Sequence, residues 1–168
     1  MFKINDYIMY GNVGVCKVMD ITNETIMNSE EKEYYVLNPI YSKYSKNTVI
    51  KIPTDNDKIA MRELMTKTEV DTLINDMATK DIVWIEDDRE RIEEFKSMLK
   101  TGKSDDLMMI VKSIYSDKKN KKAKGKKTHK GNDDIMQTAE KLINQEFATI
   151  LDIKPEEVRK YITSHMKK

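Results

Sequence analysis

The spacing of apolar residues changes once along this chain, and that change constrains the fold more than any other feature. Up to Pro53 the apolar residues fall in short runs rich in Val, Ile and Tyr: YIMY, VGVCKVMDI, EYYVLNPIY and NTVIKIP. Turn-prone stretches, GNVG, MNSEEK and SKYSKN, separate them. Such runs read as antiparallel strands joined by hairpins. From Val70 onward the apolar residues recur every three or four positions, the period of helices buried on one side. The expected fold is therefore α+β, a small antiparallel β-barrel followed by an all-α helical bundle.

Five strands in about fifty residues imply a strongly bent barrel, with Gly11 and Gly14 permitting a tight turn and a bend. In VCKVMDI, Val15, Lys17 and Met19 face one way and Cys16, Val18 and Asp20 the other, so alternation leaves the core face undecided. Pro53 ends this strand set. Thr66 and Glu69 then fit a capping box, and Val70, Leu73, Ile74 and Met77 give the helix that follows its apolar stripe. This helix is expected to close the first module, which spans 1–78, with the helical domain at 79–168.

Within the second module, Asp87 or Asp88 caps a helix carrying Ile92, Phe95, Met98 and Leu99, and Gly102 ends it. Ser104 is expected to cap the next, with Leu107, Ile110, Val111, Ile114 and Tyr115 as its buried stripe. After a basic loop, Asn132 is expected to cap a third helix bearing Ile135, Ala139, Leu142, Ile143, Phe147 and Ile150. Pro155 suits the first turn of a fourth, with Val158, Tyr161 and Ile162.

The formal net charge is only +1, but it is unevenly spread. Residues 1–78 hold nine Lys/Arg against twelve Asp/Glu, and residues 79–168 hold 21 against 17. An acidic first part and a basic second part point to two modules with different partners. Cys16 is the single cysteine, which fits a reducing compartment. There is no run of 18 apolar residues and no signal-peptide core, so a cytoplasmic protein with no membrane contact is expected.

The sequence offers no catalytic constellation. His129 and His165 do not stand at a metal-ligand spacing from Cys16, and no phosphate-binding glycine loop follows a strand. Cys16 reads as a small core residue rather than a nucleophile. A binding protein is expected, not an enzyme, with no cofactor, metal or small-molecule substrate.

Two features carry the binding argument. DKKNKKAKGKKTHK places eight lysines between 118 and 130, among them Lys119, Lys121, Lys122, Lys124, Lys126 and Lys127. Such a run cannot enter a core unpaired, and it suits phosphates without reading sequence. It equally suits a solvated loop. The other feature is Trp84, the single tryptophan, in DIVWIEDDRER. A tryptophan at a module junction packs there to fix orientation, or it stands out as a wedge for a minor groove. The second reading needs cations nearby, and Arg89, Arg91 and Lys112 are the candidates.

FKINDYIMYGNVGVCKVMDI, EYYVLNP, VIKIP and MRELMTKTEV, in that order, resemble the Tudor-like RNA-polymerase-interacting domain of the CarD/CdnL family of bacterial transcription regulators. A related domain occurs in the transcription-repair coupling factor. Trp84, RIEEFKSMLKTGKSDDLMMIVKSIY, the basic loop and AEKLINQEFATIL resemble the family's helical DNA-binding domain. The chain departs from the family pattern in Asn5, in the acids of IEDD after the tryptophan, and in a longer SKYSKN loop.

The resemblance implies binding of the RNA polymerase β subunit through Thr48, Val49, Ile50, Lys51 and Ile52. It implies contact with promoter DNA of little sequence specificity, and a Trp84 wedge that stabilises the open complex at the upstream edge of the bubble. Arg91 and Lys112 match basic positions beside that wedge. Two other readings remain open at this point: a protein–protein adaptor with no DNA role, and an RNA-binding Tudor-like module that stacks bases on Tyr34, Tyr35 or Tyr41.

Overall fold

The computed structural model describes residues 1–43 and 46–166, and these form two compact units, Met1–Leu64 and Met65–Lys168. Part of the SKYSKN loop, at 44 and 45, lies outside the described residues.

The first unit is one antiparallel sheet. Its strands are β1 (Tyr7–Tyr10), β2 (Gly14–Glu24), β3 (Lys32–Pro39), β4 (Ile50–Pro53) and β5 (Met61–Glu63), in the order β4-β3-β2-β1-β5. β4 and β5 do not pair, so the expected barrel is an open, bent sheet. Its two edge strands have four and three residues. β5 also lies beyond Pro53, where the sequence was read as ending the strand set.

The undecided face of β2 has a physical cause. A β-bulge between Val18 and Asp20 leaves Met19 without a partner on β3. Such an extra residue shifts the alternation by one. Before it, even-numbered Cys16 and Val18 face the core with Tyr35 and Leu37; after it, odd-numbered Ile21 does. Ile8, Tyr10 and Ile52 complete this core. Asn5 sits at a left-handed φ of 77°, a conformation that asparagine tolerates better than most residues.

The second unit contains α1 (Lys67–Thr79), α2 (Asp88–Thr101), α3 (Ser104–Ala123), α4 (Lys130–Leu151), a short 3₁₀ turn (Pro155–Glu157) and α5 (Val158–His165). Its core includes Val70, Ile74, Phe95, Leu107, Ile114, Ile143, Phe147 and Val158. The Thr66–Glu69 capping box, the Asp87 cap and the left-handed Gly102 are all present. The compact units divide before α1, which packs within the second unit. Its four buried residues are those the periodicity picks out.

Two caps differ from expectation. Lys103, not Ser104, is the N-cap of α3, because the Ser104 hydroxyl donates to buried Glu146 at 2.6 Å. α4 begins three residues earlier than expected, capped by His129, and Asn132 is instead buried and accepts a hydrogen bond from Arg91.

The phenol of Tyr161 on α5 donates to Asp71 on α1 at 2.6 Å. That bond, with Lys67 nearby, holds the Asp71 carboxyl below its ordinary range. Folding thus favours ionised Asp71. The resulting stability is present above the ordinary carboxylate range and is lost as pH falls through the depressed folded value. Tyr161→Phe should therefore be less stable than the parent at neutral pH. In urea titrations across pH the gap should shrink on acidification, and a gap independent of pH would contradict this.

Candidate nucleic-acid interface and partner-binding edge

The sequence placed a partner-binding strand at 48–52, and the structure puts β4 at an edge of the sheet. Thr54 N–H donates to Glu33 O at 3.0 Å. Inward- and outward-directed residues alternate in an antiparallel ladder. Ile50 and Ile52 therefore turn their backbone toward β3, and Lys51 turns its N–H and C=O outward. Pro53 shares the outward parity, where its missing N–H costs no ladder bond. The side chains divide as well: Ile52 enters the core, Val49 is 61% exposed, and Thr48 and Ile50 are half-buried. Lys51 binds the Glu24 carboxylate in a close ion pair. The hydrogen bond from Lys51 holds Glu24 below its ordinary pKa.

The second candidate region surrounds Trp84. The ring is partly buried. The Arg91 guanidinium lies 4.5 Å from its centroid, and the Phe95 ring meets it edge-on at 6.3 Å. It borders a groove of about 410 Å³, also lined by Lys121, Lys124 and Lys126. The ring is thus gripped on one side and on another borders a groove where the three lysines are joined by Glu86 and by Asp117, which pairs with Lys121.

The acids of IEDD are largely absorbed by local structure. The Asp87 side chain caps α2 by accepting from Glu90 N–H at 2.8 Å. Asp88 pairs with Arg91, and that hydrogen bond lowers its pKa. Glu86 remains exposed at the groove.

Two expected DNA-contacting cations are engaged by the protein itself, Arg91 buried and Lys112 half-buried. Arg91 is 1% exposed. Its guanidinium donates to Ile85 O at 2.8 Å, Glu86 O at 3.3 Å and Asn132 Oδ1 at 3.3 Å, besides its pairing with Asp88. It is the mount that holds Trp84, not a phosphate contact. Lys112 donates to Met77 O at 2.6 Å and also to Lys80 O. It satisfies carbonyls at the C-terminal end of α1, where a cation also suits the helix dipole. Arg89 is exposed and makes an i,i+4 pair with Glu93.

The lysine run is not one loop. α3 continues to Ala123, so Lys118, Lys119, Lys121 and Lys122 are helical, and only 124–129 lie between the two helices. Lysine favours helix, and cations suit a helix C-terminus. Lys121 pairs with Asp117, and Lys118 pairs with Asp133. Of the expected DNA contacts, the structure brings Trp84, Lys121, Lys124 and Lys126 together at one groove. Lys119, Lys122, Lys126 and Lys127 border a second groove.

Cys16 is fully buried, and burial pushes its thiol pKa up to about 12, as suits a core residue. Among the described residues, no group of three His, Cys, Asp or Glu could hold a metal ion, and no helix is long and apolar enough to cross a membrane.

A search of curated proteins found no match to the chain. The family model of the CarD-like/TRCF RID domain matches residues 2–65. This stretch coincides with the compact sheet unit, and the domain is one that interacts with the RNA polymerase β subunit. With its open sheet and its β4 edge, the first unit of this chain is similar to the CarD-like/TRCF RID domain over residues 2–65.

Proposed function

We propose that this protein is a transcription regulator. Its sheet unit docks on the RNA polymerase β subunit, and its helical unit meets promoter DNA at the edge of the melted region. The family of residues 2–65 supports the first half. One observation carries the second: Trp84 is fixed by Arg91 and Phe95 yet borders a groove bearing three lysines.

A wedge needs both properties. A loose indole loses side-chain entropy on insertion, and a sealed one cannot reach DNA. Lys121, Lys124 and Lys126 would hold the phosphate backbone while the ring opens a base step. The protein would gain contacts with the open promoter that the closed one lacks, and so shift that equilibrium. Selectivity would come from how readily a sequence deforms rather than from base-edge contacts.

The test is the lifetime of the open complex with purified polymerase. Trp84→Ala should shorten it about fivefold, corresponding to roughly 1 kcal/mol of coupling. Binding to the β subunit should be unchanged. If the lifetime is unchanged while the variant still binds polymerase, the wedge is wrong and a protein–protein adaptor becomes the better reading.

A further inference from the structure

Tyr115 breaks the apolar pattern of α3. Its spacing places it in the buried stripe with Ile110 and Ile114, yet it is 49% exposed. It borders a groove of about 870 Å³ on which Lys119, Lys122, Lys126, Lys127 and Arg159 also converge. The Arg159 guanidinium stands 5.9 Å from the ring centroid. Lys118 lines the groove too, but Asp133 engages it at 3.0 Å. Glu140 is the single acid in the lining. Trp84 borders the other groove, which shares only Lys126 with this one.

We propose that this groove binds single-stranded nucleic acid, with one base stacked on Tyr115 and the flanking phosphates held by the lysines and Arg159. Five cations facing one acid repel each other and attract a polyanion.

The exposed ring narrows the class. Lysines alone would serve an acidic peptide or free phosphate, whereas an aromatic face beside cations is what a base-bearing strand uses. In a duplex the bases are already stacked on one another and offer the ring no free face. The contacts are to base faces and phosphates, which DNA and RNA share.

The experiment is fluorescence anisotropy of the full chain with labelled 12-residue oligo-dT and oligo-rU, without polymerase. Trp84 emission serves as the check that each variant is folded. Tyr115→Ala should weaken binding roughly tenfold, and Tyr115→Phe should restore it. Arg159→Glu should weaken binding and flatten its salt dependence. A preference for oligo-dT or oligo-rU would name the source of the strand.

Equal binding by Tyr115→Ala and the parent would overturn the proposal. So would equal competition by polyglutamate or inorganic polyphosphate, or tighter binding to a duplex of the same length. Because the assay contains neither polymerase nor promoter, failure of the Trp84 wedge would leave this result untouched.

Discussion

Arg91→Ala is expected to lower the melting temperature by on the order of 10 °C, and to shift Trp84 emission to the red. The side chain is among the largest fully buried ones, and it satisfies two backbone carbonyls and the Asn132 amide. Truncation leaves these acceptors buried without a donor, at about 1–3 kcal/mol each where water cannot replace it, and opens a cavity beside Phe95. A loss of about 3 kcal/mol or more follows, which in a unit of this size means a melting shift of that order. Arg91→Lys keeps the charge but not the fork, so it should fall between alanine and the parent. Thermal unfolding followed by circular dichroism, with Trp84 fluorescence alongside, reads both effects. A shift under about 2 °C for the alanine variant would mean that Arg91 is not the mount described above.

Lys51→Pro is expected to weaken binding to the polymerase β subunit by tenfold or more, and further than Lys51→Ala does. If β4 adds a strand from the partner, the outward N–H of Lys51 donates to it. Proline removes that donor and leaves the partner's acceptor unpaired, which costs about 1–3 kcal/mol. The same substitution costs the sheet little, because residue 51 does not bond inward to β3 and proline is tolerated on an edge. Alanine removes only the ammonium group and its pair with Glu24. Surface plasmon resonance with immobilised β subunit separates the two. Equal loss by both variants would assign the effect to charge rather than to strand addition.

Local signals were legible in the sequence. The capping box at Thr66, the Asp87 cap and the left-handed Gly102 each depend on residues within one helical turn, so reading them needs no tertiary knowledge. Non-local contacts were not legible. Asn132 has the chemistry of an N-cap, but a buried arginine 41 positions earlier engages its side chain. Ser104 likewise gives up its capping role to Glu146.

Engagement of a charged side chain by distant backbone has no signature in composition, so buried Arg91 and half-buried Lys112 read as free surface cations from their type alone. Tyr115 erred in the opposite direction, since spacing puts it on the buried face and the structure exposes it. The bulge at Met19 explains why simple alternation could not assign the faces of β2. No turn residue marks it, as nothing in VMD is glycine or proline.

That bulge acts like a frameshift in the strand. Residues up to Val18 are read in one phase and those from Asp20 in the other, so a single core is served from both. Deleting Met19 would remove the bulge and set Val18 directly before Asp20, opposite the adjacent pair Leu37 and Val36, so regular alternation would keep Val18 and Ile21 inward and Asp20 outward. The hairpin tip beyond Glu24 is exposed and can change length without disturbing this phase. Position 19, half exposed itself, supplies the extra residue of the bulge and the added local twist that comes with it, rather than a side chain the core needs.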